Sequence, residues 1–212
     1  MEKVVERNPV IEKKSVNNIM TALYAFVVIS FFITIVDIII RFPLQSEMID
    51  YNDIQAIVIN VLALLIQIVF FAYGFVNAIR GMLSPKRMGA VIVAFFAATC
   101  ITGTGNMVIN SNVQIVLWWI VLIIPNVVGA VATFAYFVSG KKSKIYSIII
   151  YLAAICGIFR IIYSNYNLIV HANQYLSMNS TVRLVLGIAI HCLVIYQTYV
   201  LWIKRQNAID IS

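Results

Sequence analysis

Six long runs of almost uninterrupted apolar residues divide the chain, at roughly 19–40, 54–79, 88–109, 113–138, 145–163 and 184–203. A helix needs about 20 such residues to cross about 30 Å of hydrocarbon. Within lipid every backbone N–H and C=O must find its partner inside the protein, and a single run does so only as a helix. The expected fold is therefore all-α: a polytopic integral membrane protein with six transmembrane helices in one bundle. Residues 1–18 form an N-terminal segment before it and residues 204–212 a tail after it. The connections are short. Pro43 is expected to stop the first helix, because proline cannot donate the next hydrogen bond. Pro85 falls in the second connection, and Asn110-Ser111-Asn112 makes a tight turn between helices three and four. Only 164–181 is long enough to hold structure of its own. Thr102-Gly103-Thr104-Gly105 weakens the outer end of the third run and reads as a flexible helix end, not a cation filter.

Composition agrees. Apolar residues make up 62% and charged residues 11% of the 212, against about 45–50% and about 25% in soluble domains. A soluble fold of this size has too much surface to hide that excess, so the lipid bilayer is the expected partner. The net charge of +7 would point to nucleic acid in a soluble protein. Here its distribution gives another reading, and no nucleic-acid partner is expected. Lys3, Arg7, Lys13, Lys14, Arg80, Lys86, Arg87, Lys141, Lys142, Lys144, Lys204 and Arg205 all fall on one side if six helices cross. Arg41 and Arg183 lie at helix ends on the other side, and Arg160 within a span. Basic residues mark the cytoplasmic face, so both termini are expected inside a cytoplasmic-type cell membrane. Tyr73, Tyr136, Tyr199 and Trp202 cluster at the expected inner ends, and Trp118 and Trp119 near the outer end of helix four. Cys100, Cys156 and Cys192 sit in apolar runs without metal-ligand spacing, so neither a disulfide framework nor a zinc site is expected.

Three segments align without gaps: Val27–Val36, Val91–Cys100 and Ser147–Cys156, each early in an odd-numbered helix. Phe71-Ala72-Tyr73 recurs as Phe134-Ala135-Tyr136, and Tyr199 falls at the same step. Three repeated two-helix hairpins would produce this pattern, and so would chance matching in a narrow alphabet of Ile, Val, Ala and Phe.

Polar groups inside lipid are costly, so each is a candidate for function. Six make the expected binding set: Asp37, Asn60, Gln67, Asn126, Arg160 and His191. Asp37 can pair locally with Arg41 one turn on, or across the bundle with Arg160 at similar depth. The alternative for Arg160 is to snorkel to the outer head groups. His191 is a lone mid-span histidine, for which an interhelical hydrogen bond competes with ligand binding. Without a second membrane histidine no haem is expected. Asn60, Gln67 and Gly74 recur at seven-residue steps on one face of helix two, as a helix contact or a polar pathway would. Pro125 is expected to kink helix four beside Asn126. Ala153 and Gly157 form a small-residue face for close packing. Glu47, Asp50 and Asp53 make an acidic outer loop, read as solvated, not as a divalent-cation site. Asn179-Ser180-Thr181 is a glycosylation sequon in an outer loop.

No GxGxxG, Walker, HExxH or GxSxG pattern is present, and no carboxylate pair lies within the spans. No enzymatic activity, cofactor or metal is expected. The expected function is that of a small solute-binding or transport protein for a neutral or amphipathic substrate, taken from the outer side. The competing reading is a non-catalytic membrane subunit that packs against a partner protein or another copy of itself. An intramembrane enzyme comes third.

Overall fold

The computed structural model describes residues 9–45, 51–109, 113–141, 143–164 and 178–209. Side chains are described over 17–36, 58–104, 123–141, 143–163 and 184–204, with Gln55 and Thr181. Six helices follow one another: α1 (Pro9–Gln45), α2 (Tyr51–Ile79), α3 (Pro85–Ile109), α4 (Val113–Thr133), α5 (Lys144–Ser164) and α6 (Met178–Ile209). No strand occurs among the described residues. Segments of α1, α2, α3, α5 and α6 are long and apolar enough to cross a membrane, and α4 with its extension contributes a shorter apolar stretch, Ile123–Val138. The chain is an all-helical membrane bundle.

Each helix packs against its neighbours in sequence, and α1 closes on α6, so the six form a ring. The ring is pinched, because α3 also touches α6 across its middle. Neither α1 with α4 nor α2 with α5 makes a comparable contact among the described residues. Burial follows this geometry: 56% of the α3 span and 50% of the α6 span is buried, against 17% for α2. That explains the weak third run. Its mean hydropathy is the lowest of the five spans because α3 faces protein more than lipid. Its glycines lie inside a helix that continues to Ile109.

Several expected boundaries move. α1 runs through Pro43 to Gln45, since near a helix end the ring costs one hydrogen bond and the last turn is not otherwise broken. Pro85 is the first residue of α3, where its fixed φ suits a helix start. Ser84 caps that start, its Oγ accepting from the Arg87 amide at 3.3 Å. The sequon lies in the first turns of α6, not in a loop. Pro125 is carried inside α4. Asp53, expected in an acidic loop, lies in the first turn of α2; the Asn110–Asn112 turn, Glu47, Asp50 and the side chains of Trp118 and Trp119 lie outside the described residues.

The α2–α3 connection is closed locally. Gly81, with φ at +64°, lets the chain reverse. Its amide donates to the Ala78 carbonyl at 3.0 Å and the Met82 amide to that of Asn77 at 2.8 Å, the paired bonds of a glycine-terminated helix. The Arg87 guanidinium then ties both sides, donating to Asn77 Oδ1 at 2.8 Å and to the Met82 carbonyl at 2.7 Å.

At its C-terminal end α4 widens into one π turn, Phe134–Val138. Ala135, Tyr136 and Phe137 are consecutively buried there, against α3, where Gly89 leaves room for Phe137. This turn bears on the internal repeat. Val27, Val91 and Ser147 are all buried, as are Ser30, Ala94 and Ile150, and Thr34, Ala98 and Ala154, so the odd helices match in phase. The even helices do not. Tyr73 and Tyr199 are 44% and 46% exposed, whereas Tyr136 is 1% exposed. Tyr136 is thus a core residue and not part of an interfacial belt. α4 enters the turn with a different face inward, and beyond it Phe137 is buried like its counterparts Gly74 and Val200. The extra residue of the π turn absorbs the mismatch.

Candidate functional site

Most buried hydroxyls in the bundle are already satisfied. Thr34, Thr99, Thr133 and Thr198 each donate to the carbonyl four residues back, at 2.7–3.0 Å. This local bond lets threonine sit in an apolar helix at little cost. It also removes these side chains from the candidates.

The polar groups that remain gather in two places. The first is in the half of the bundle away from the α2–α3 and α4–α5 connections, where α4, α5 and α6 meet. His191 is 2% exposed. Its Nδ1 lies 2.7 Å from the Gly187 carbonyl. Only a protonated Nδ1 can make that bond, so in the neutral ring Nε2 is the acceptor. The ring stands edge-on to Phe95 of α3, with centroids 5.0 Å apart and planes at 87°. Nε2 points at Gly157 of α5, where a Cβ would fall onto the ring. The expected small-residue face of α5 therefore serves two neighbours. Gly157 receives His191 of α6, while Ala153 meets Gly129 of α4, where a Cβ would come within 2.9 Å.

Arg160 lies three residues beyond Gly157 and one before Ile161, which packs on Gly187 of α6. On a helical wheel Arg160 falls on the α4 side of this strip, close in angle to Ala153. It is half-buried and within electrostatic range of the imidazole. Side chains on a helix lean toward its N-terminus. For α5 that is away from the nearer helix end, so the arginine leans down toward His191. Asn126 is buried on α4 and bonded within the bundle. It lies about 4.5 Å beyond Gly129, and Gly157 about 6 Å beyond Ala153, at 1.5 Å per residue. Asn126 and His191 thus lie near one level, and Arg160 stands about 4.5 Å further along α5 than Gly157.

The other expected residues are elsewhere. Asn60 is exposed and Gln67 half-buried on α2, which packs on α1 and α3 only. Their stripe ends at Gly74, which lies against the Tyr24 ring, so at that end it is a helix contact. The Asp37 side chain, and with it the Asp37–Arg41 and Asp37–Arg160 pairs, lies outside the described residues. α1 and α5 are not packed neighbours, since α6 stands between them.

The second place was not singled out from sequence. In the half that carries the α2–α3 and α4–α5 connections, Gln197 of α6 donates through Nε2 to the Tyr24 hydroxyl of α1. Both residues are fully buried, and Gln197 Oε1 has no hydrogen-bond partner. A chain of rings joins the two places: Tyr24 to Phe71 at 6.2 Å, Phe71 to Phe95 at 6.4 Å, then Phe95 to His191. Gln197 is as visible a polar interruption as Gln67. Its partner, a tyrosine, reads in sequence as ordinary core.

The chain matches no protein-family model, no curated protein and no solved structure.

Proposed function

We propose that the chain is a small solute-binding or transport protein that takes a neutral or amphipathic substrate in the outer half of its bundle. What supports this reading is a half-buried Arg160 on α5 within electrostatic range of the buried His191 of α6, with buried Asn126 of α4 at a similar depth. Helix packing alone needs small residues and self-satisfied hydroxyls, which this bundle has in plenty. It does not need a guanidinium near an imidazole. The test is purification in mild detergent with mass spectrometry of what accompanies the protein. A bound small molecule, depleted in Arg160→Gln, is the expected result. A stoichiometric protein partner with no small molecule would replace this reading.

That second outcome has its own support. α2 is the least buried span, and Val58, Leu62, Leu65 and Val69 are exposed along one of its faces. Such an apolar face can meet a partner helix as well as lipid. Under this alternative the chain is a non-catalytic subunit held through α2.

We also propose that both termini face the cytoplasm. The basic α2–α3 and α4–α5 connections lie at one end of the bundle, as the alternation of lysine and arginine requires. A reporter that is active only in the cytoplasm, fused after Ser212, is expected to be active. One fused between Gln45 and Tyr51 is expected to be silent.

A further inference from the structure

The chain has no acidic residue between Asp53 and Asp210. Neither helix packed against α5, which are α4 and α6, therefore carries a carboxylate anywhere along its length. Arg160 is nonetheless half-buried where α4, α5 and α6 meet. A guanidinium in that position keeps its charge and calls for an anion. The one acid within a span, Asp37, is on α1, beyond α6. His191 lies within electrostatic range of Arg160, but its ring is spent on the bundle: Nδ1 is held by the Gly187 carbonyl and Nε2 is packed on Gly157.

We propose that Arg160 binds the anionic head group, carboxylate or phosphate, of an amphiphile whose tail lies along the outer half of α5. The fork of the guanidinium fits either group through two parallel bonds. Exposed Phe159 and Ile162 give the tail an apolar surface. This rests on the solute-binding reading above and narrows it to an anionic ligand.

The test uses the full chain in phosphatidylcholine nanodiscs and two fluorescent probes, dansyl-undecanoate and its methyl ester. The carboxylate is expected to bind about tenfold more tightly than the ester, the size of one charge-assisted contact. Arg160→Gln is expected to abolish that preference and leave ester binding unchanged, while Arg160→Lys keeps part of it. Displacement separates the two sources of such a head group. If it comes from the bilayer, phosphatidylglycerol in the disc displaces the probe. If it comes from water, dodecyl phosphate does so and phosphatidylglycerol does not. Equal binding of acid and ester would overturn the anion site and leave the solute-binding reading standing. Binding of neither would remove both. Tighter binding of the acid after Asp37→Asn would assign the counter-charge to Asp37 and also overturn the proposal. The acid–ester comparison needs no variant, so it holds whether or not the Arg160 variants fold.

Discussion

Gly74→Ala is expected to destabilise the bundle by about 2–3 kcal/mol, the upper part of the range for overpacked cores. The built Cβ falls onto the ring of Tyr24. Tyr24 has no room to yield. It is fully buried, its hydroxyl is bonded to Gln197 and its ring is tilted against Phe71. Reversible unfolding in mixed detergent micelles would measure the loss. Tyr24→Leu placed on the Gly74→Ala background should recover part of it, because the leucine vacates the space the methyl needs. If Gly74→Ala is neutral, the α1–α2 contact is not held by close approach at this point.

The second large effect concerns the same tyrosine from its other side. Tyr24→Phe removes the only hydrogen-bond partner of the Gln197 amide and leaves a fully buried primary amide unsatisfied. Such a group costs about 1–3 kcal/mol, and the lost bond adds about 0.6 kcal/mol at membrane-protein averages. Gln197→Leu alone is expected to be much milder. It strands the tyrosine hydroxyl, but it also removes Oε1, which already lacks a partner. The double variant Tyr24→Phe/Gln197→Leu replaces both by apolar groups of similar shape and is expected to equal or exceed the wild type in stability. A double-mutant cycle in the same unfolding assay reads this directly. A double variant as unstable as Tyr24→Phe alone would mean that Gln197 has a partner in the folded protein beyond the tyrosine.

The bundle itself was legible because lipid imposes one demand, internal backbone pairing, and an apolar run answers it in only one way. The six runs therefore gave six helices. What sequence could not give was which helix stands in the middle. α3 looked weakest because Thr102, Gly103 and Thr104 lower its hydropathy, and that same dilution is the mark of a helix surrounded by protein. Pro43 is expected to stop a helix because proline lacks a donor, and Pro85 to fall in a connection. Each instead lies within a helix, a turn or so from its end, where a missing donor costs least. Of the candidate residues, Arg160 and His191 fall within electrostatic range of each other because they lie about one turn apart in depth on neighbouring helices, which rise per residue can anticipate. Asn60 and Gln67 lie apart because ring order, not depth, decides which faces meet. The Tyr24–Gln197 bond was hidden for a related reason. Its partners stand at opposite ends of the chain, and periodicity says nothing of where a ring closes.

That closure bears on how the protein is made. The Arg87 guanidinium reaches Asn77 across ten residues, so the α2–α3 hairpin can lock as soon as those two helices have entered the bilayer. The Gln197–Tyr24 bond joins residues 173 apart. During synthesis α1 must wait, with a buried-type tyrosine facing lipid, until the last helix arrives. Premature release before α6 would leave α3 stripped of its central neighbour, and such a chain is a natural substrate for membrane quality control.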